Sequence, residues 1–172
     1  MQFFHANTIV DSMKFRTGIG QDSHRFLREK SDKKCVLGGL VFEDAPGMDA
    51  DSDGDVIFHA ICNAITSLTH VPILGRIAID LCHNEGVTNS RVYLEKAMDT
   101  LLNQKVEHVA LTIEGQRPKF QKRSEEIRRS IVEAMGLEMG QVGITFTSGD
   151  GLTSFGRGEG LMCYCILTAY EP

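Results

Sequence analysis

The chain reads as one α/β domain of the α+β type, built on a mixed sheet with helices on one face. Its 172 residues, 42% hydrophobic and 24% charged, suffice for one core and are few for two. Apolar periodicity switches between 2 and 3.6 along the chain, so strand and helix segments are interspersed. The last strand segment is apolar in both alternating sets, Leu161, Cys163, Cys165 and Leu167 on one side and Met162, Tyr164 and Ile166 on the other. With only about three helices available, its second side needs a cover. Another subunit supplies that cover, or the strand is central and fully buried within one monomer.

Taken in order, residues 1–14 lack a continuous apolar stretch of signal-peptide length and are expected to form a short extension, leaving 15–172 as the domain. Residues 15–19 read as a strand. The runs within 34–42 read as two more, with Gly38-Gly39 marking a tight bend or bulge. A loop rich in Asp, Gly and Pro spans 44–54. Ser52 is the expected N-cap of a helix running to about Thr69, with Asp53 and Asp55 in its first turn complementing the dipole. On that helix Asp55, His59 and Asn63 follow an i, i+4, i+8 spacing, opposite a stripe of Ile57, Ile61, Ile65 and Leu68.

An irregular stretch holding Pro72 and Gly75 comes next. Ser90 reads as the cap of a second helix ending near Gln104, with Val92, Leu94, Met98, Leu101 and Leu102 as its stripe. A strand over 106–114, a loop at Pro118 and an amphipathic helix over 121–135 closed by Gly136 lead to strands over 142–147 and 161–170.

The formal charge of -5 argues against a general grip on nucleic acid, which needs a basic face. No apolar run approaches the roughly 20 residues that cross a bilayer, so no membrane partner is expected. Five cysteines without a C-x-x-C spacing suggest neither a disulfide framework nor a cysteine zinc site, and fit a reducing cytoplasm.

Chemistry is concentrated in a dispersed set of metal-ligand residue types. Asp22 and His24 are two apart, so on an extended segment they face the same way. His59 adds a second imidazole. One carboxylate and two imidazoles make a three-ligand zinc site whose fourth position stays open, as in catalytic zinc. Read singly, Asp22 and His24 are equally a local turn hydrogen bond, and His59 a satisfied buried histidine. The segment 149–160 holds five glycines in twelve residues. It is either a backbone cradle for phosphate or a long hairpin connection, with Arg157 serving a phosphate or pairing with Glu159. The basic run from Lys119 to Arg129 alternates with Glu125 and Glu126 at helical spacing, which marks a solvated face.

Taken together, the segments 18–26, Ser52-Asp53-Gly54-Asp55 with His59, Ser90, Pro118-Lys119 and Phe155-Gly156-Arg157-Gly158-Glu159-Gly160 resemble the 2-C-methyl-D-erythritol 2,4-cyclodiphosphate synthase family, from about Phe15 to Ala169. The resemblance implies an enzyme of the non-mevalonate isoprenoid pathway. It converts 4-diphosphocytidyl-2-C-methyl-D-erythritol 2-phosphate to the cyclic diphosphate and CMP. It also implies a homotrimer with sheets packed around a threefold axis and sites between subunits.

Carried over by position, Asp22, His24 and His59 match the ligands of Zn2+ or another divalent transition metal. Asp150 stands where the family places a glutamate for Mg2+ or Mn2+, one methylene shorter. These four are the expected catalytic residues. Thr147 and Ser148 match the cytidine diphosphate site, Gly115 to Lys119 the cytosine loop, and Ser52 and Ser90 the methylerythritol phosphate. Asp80 matches a diol-side carboxylate, and Phe155 and Arg157 complete the substrate-binding set.

Asp51 takes the place of a histidine beside the 2-phosphate, where a second anion repels phosphate unless it is neutralised or turned away. Asn63 and Ile73 replace aspartates, and Gly151 replaces a lysine. The same metal chemistry with water in the fourth position would make a zinc phosphohydrolase, and these departures keep a lapsed metal-binding assembly protein in view.

Overall fold

A computed structural model describes residues 13–171. A four-stranded mixed sheet runs in the order β1–β6–β4–β5, from Lys14–Arg25 (β1), Gly160–Glu171 (β6), Lys105–Glu114 (β4) and Val142–Thr147 (β5). β4 and β5 are parallel and the other pairs antiparallel. β2 (Lys34–Leu37) and β3 (Leu40–Pro46) form a separate hairpin. Gly38 and Gly39 link them with φ of 57° and 76°, the left-handed conformation that a two-residue hairpin turn requires. The helices are α1 (Val56–Thr69), α2 (Arg76–Glu85), α3 (Ser90–Asp99) and α4 (Ser124–Met135).

The expected N-cap of α1, Ser52, is corrected by three residues to Asp55. Gly54 has φ of 73°, which interrupts any helix there, and Asp55 is the cap. Its fully buried carboxylate accepts from Ile57 N–H at 3.0 Å and Phe58 N–H at 3.2 Å. It also accepts from Gly38 N–H at 2.9 Å and Gly39 N–H at 2.7 Å, tying the hairpin turn to the start of α1. Burial and the charge of Asp53 push its carboxyl up to about 6 against these donations.

α1 lies unusually close to β1. A Cβ at Gly18 or Gly20 would collide with the backbone of Ala64 or Ala60, so only glycine permits this approach. The contact matters because α1 carries His59 and β1 carries Asp22 and His24.

Helix α2 falls in the stretch expected to be irregular. Leu81 is its one buried residue, while Ile77 and Ile79 are exposed, so no apolar stripe announces it. α3 is capped by Asn89 rather than by Ser90, which is its first residue, and it stops at Asp99 instead of running to Gln104. Its buried face is Ser90, Tyr93, Leu94 and Ala97; Leu102, expected in the stripe, lies beyond the helix end and is 89% exposed.

β6 settles one alternative. Leu161, Cys163, Cys165 and Leu167 are fully buried beneath the helical layer, but Tyr164 and Ile166 on the opposite side are 43% and 47% exposed. Together with exposed Phe15 and Ile19 of β1 they form an apolar outward face, so the strand is not buried on both sides within one chain. The glycine-rich segment is not a hairpin either: β5 and β6 are separated in the sheet by β4, and the segment crosses over that strand's end.

Candidate metal centre and active-site cleft

β1 alternates its side chains so that Asp22 and His24 project together toward α1, and His59, one turn into α1, meets them. Asp22 Oδ2 lies 3.0 Å from His24 Nε2 and 3.2 Å from His59 Nδ1, and the two nitrogens are 3.2 Å apart. Tetrahedral coordination with bonds of about 2.0 Å separates ligand atoms by about 3.3 Å. The triangle therefore fits one face of a tetrahedron around a divalent ion, and it is the one such group of donors among the described residues. The donor set, two nitrogens and one oxygen, suits a transition metal better than magnesium.

Burial alone would raise the Asp22 carboxyl, but hydrogen bonding and charge from His24 and His59 outweigh it and hold the group at about 2. The carboxylate is thus ready as an anionic ligand.

The triad opens on a cleft of about 560 Å³ whose walls include Asp49, Asp51, Ser52, Ile79, Cys82 and Tyr93. Asp51 Oδ2 sits 3.3 Å from His83 Nε2, so an imidazole from α2 faces the carboxylate that would otherwise meet a phosphate alone. Lys33 donates from Nζ to the Ala50 carbonyl beside these acids; burial lowers its pKa, opposed by Asp53, Asp49 and Asp51.

A second cavity of about 320 Å³ adjoins the first through His24 and is lined by Phe155, Ser154, Glu159 and Arg25. Ser90, expected at the substrate, is fully buried with its hydroxyl 2.9 Å from His59 Nε2. Asp80 is exposed at the surface, 3.9 Å from Arg76.

The remaining expected residues gather elsewhere, at the carboxyl ends of the parallel strands β4 and β5, where open α/β sheets commonly bind ligands. Gly115 donates its N–H to the Thr147 carbonyl at 3.0 Å. Ser148 donates to Asp150 Oδ1 at 2.8 Å, and Asp150 itself has φ of 46°. The Lys119 N–H donates to Asp44 at 3.1 Å. Arg157 pairs with Glu159 at 3.0 Å. None of these residues lines the cleft beside the triad.

No local sequence signal gives Asp53, His83, Tyr93 or Glu114 a place at the site, and the fold brings all four there or to the glycine-rich segment. Glu114 accepts from the Thr153 hydroxyl and so pins the glycine-rich segment to the end of β4. Asp53 has the position of a helix-start residue in the sequence, and nothing local marks its bond to Ser90, 37 residues away.

A family model described as the YgbB family matches residues 15–170. The 2-C-methyl-D-erythritol 2,4-cyclodiphosphate synthase of Chlamydia caviae is 55% identical over 158 residues, covering 91% of this chain and 90% of that one. The protein of that name from Chlamydia abortus is 56% identical with the same coverage. A crystal structure of the Plasmodium vivax synthase superposes with a TM-score of 0.76 at 25% identity, covering 92% of this chain and 99% of that one. A further synthase structure, described as a CDP-bound form, superposes at 0.72 with 26% identity over 88% of this chain and 98% of that one. By the reach of the family match and the identity to these relatives, the chain belongs to the YgbB family.

Proposed function

We propose that the chain is a metal-dependent 2-C-methyl-D-erythritol 2,4-cyclodiphosphate synthase of the non-mevalonate isoprenoid pathway. The observation that carries this reading is the Asp22, His24 and His59 triangle open to a cleft. The names of its relatives support the substrate.

The substrate's own 2-phosphate oxygen attacks the β-phosphorus, and the bond to CMP breaks with its electron pair leaving on CMP. No protein nucleophile is needed. In keeping with that, burial pushes the Cys35 and Cys165 thiols up to about 12, and Cys62 and Cys163 also lie above their ordinary value. Asp22, His24 and His59 would hold the ion, zinc being the best match to the donors. When bound, it supplies Lewis acidity at a phosphoryl oxygen. The chain's contribution is to fold a flexible diphosphate into in-line geometry and to exclude water that would divert it to hydrolysis. Ser52 and Asp51 with His83 would contact the methylerythritol phosphate end of the cleft.

Gly115, Lys119, Thr147 and Ser148 would hold the cytidine diphosphate, and Asp150 a magnesium or manganese ion. Because they stand apart from the triad in one chain, the complete site is assembled between neighbouring subunits of a homotrimer. The apolar outward face of β1 and β6 supports this assembly. No helix among the described residues is long and apolar enough to cross a membrane.

Phosphorus NMR of the protein incubated with zinc, magnesium and the cytidylylated substrate tests the reading. Cyclic diphosphate with CMP is the expected product. Inorganic phosphate or an uncyclised product would replace cyclase by phosphohydrolase, and unchanged substrate with a loaded metal site would indicate a lapsed binding protein. Light scattering should give three times 19.0 kDa; a stable monomer would overturn the shared site.

A further inference from the structure

The buried serine behind the triad carries more than packing. Ser90 is fully buried and His59 is 6% exposed, so the polar atoms between them must satisfy one another. Asp53 anchors the arrangement. Its Oδ2 accepts the Ser90 N–H at 3.0 Å, its Oδ1 accepts the Asp55 N–H at 3.2 Å, and its own N–H donates to the Thr88 carbonyl at 2.8 Å. The Ser90 hydroxyl also donates to Asp53 Oδ1.

A hydroxyl has one proton, and an ionised carboxylate only accepts. With that proton given to Asp53, Ser90 Oγ can only accept from its other neighbour, His59 Nε2 at 2.9 Å. Nε2 therefore carries a hydrogen whether the ring is neutral or cationic. Nδ1, 3.2 Å from both Asp22 Oδ2 and His24 Nε2, is then the atom whose lone pair is available to an ion.

We infer that Asp53 and Ser90 are positioning residues, a relay that fixes His59 as the Nε2–H tautomer and aims Nδ1 at the metal. The relay also holds the ring plane, because a flip would put carbon against Ser90 Oγ. Metal-bound histidines commonly donate their second nitrogen to an oxygen acceptor, and losing that acceptor typically weakens binding by about 10- to 100-fold. Here the acceptor is a serine, and the carboxylate that polarises it comes from the loop ahead of α1.

The inference rests on reading the triad as a metal site, and two measurements keep the two readings separable. In the metal-free protein, at a pH where the His59 ring is neutral, nitrogen-15 NMR of the histidine side chains should show it protonated at Nε2 and bare at Nδ1. In Asp53→Asn the side-chain amide can donate to Ser90 Oγ, freeing the hydroxyl to donate to Nε2, so the Nδ1–H form should become populated. In the loaded protein, chelator competition should show zinc held about 10- to 100-fold more weakly by Asp53→Asn and Ser90→Ala. Ser90→Thr, which keeps the hydroxyl, should restore affinity to within a few-fold of the parent.

An unchanged His59 tautomer in Asp53→Asn, or parent-like zinc affinity in both variants, would overturn the relay. If Ser90→Ala fails to fold, Asp53→Asn carries both readouts with nearly unchanged volume. A parent protein that binds no divalent ion would remove the metal reading, and the tautomer measurement would still decide the relay.

Discussion

Asp22 and Asp150 are both offered to metals, and they sit in opposite settings. Asp22 lies within a twelve-residue strand, its side chain 19% exposed, and meets imidazoles from two elements. Asp150 stands in a short turn between β5 and β6, exposed, with φ of 46°, and accepts from Ser148 two residues away. The first site is organised by the long-range packing of one chain. The second is organised locally, and in the proposed reading it is finished only by substrate and a neighbouring subunit.

The largest effect that can break this contrast is metal loss. Asp22→Ala and His59→Ala should leave almost no tightly bound zinc per chain and lower kcat/KM by roughly 1,000-fold or more, since Lewis acidity is worth several kcal/mol. Asp150→Ala should keep the zinc and lose about 10- to 100-fold, partly restored by more magnesium. Metal analysis and kinetics on the same preparations check both. If Asp150→Ala also emptied the zinc site, the two regions would not be separate.

Glycines sharpen it next. Gly20→Ala forces a methyl against the α1 backbone and should cost about 2–3 kcal/mol in a denaturant titration. Zinc affinity should fall with it, because the shift carries His59 away from Asp22 and His24. Gly151→Ala meets nothing within 4 Å but has φ of 75°, so its cost should be only about 1 kcal/mol, with zinc affinity intact.

Acid gives a smaller effect. In the metal-free protein the Asp22 carboxyl is held at about 2 against a usual 3.8. A carboxylate whose folded pKa is depressed stabilises the fold fully above the unfolded value and loses that contribution as pH falls through the folded one. Roughly 2 kcal/mol should therefore disappear between about pH 4 and pH 2. Asp22→Asn should flatten that part of the stability curve; an unchanged curve would mean that the two histidines do not hold the carboxylate.

Which parts of this were readable from the residues follows from the range of the forces involved. Local rules reached only part of the ligand triad: alternation puts Asp22 and His24 on one side of an extended segment and periodicity puts His59 on a helix, but each alone reads equally as a local hydrogen bond or a satisfied core histidine, and it is the family resemblance that joins the three. α4 was legible from periodicity alone: Ile127, Ile131 and Met135 keep helical spacing on the buried side. α2 was not, since Leu81 is its only buried residue and it shows no stripe. The start of α1 was misplaced because Ser-Asp-Gly-Asp offers several caps, and only Gly54's left-handed φ and the bonds from Gly38 and Gly39 select Asp55. The relay from Asp53 through Ser90 to His59 joins groups 31 and 37 residues apart, beyond any local signal.

The smallest expected effect concerns the cleft rim. Asp51 and His83 are 72% and 59% exposed, so the pair adds little to stability, and His83→Ala should change it by no more than about 0.5 kcal/mol. Its consequence should appear in KM. With the imidazole gone, the Asp51 carboxylate faces the incoming phosphate uncompensated, and KM should rise several-fold while kcat and zinc content hold. The double variant His83→Ala with Asp51→Asn removes repulsion and compensation together and should return KM toward the parent value. A KM unmoved by His83→Ala would place the pair outside the substrate's reach and confine the phosphate to the metal side of the cleft.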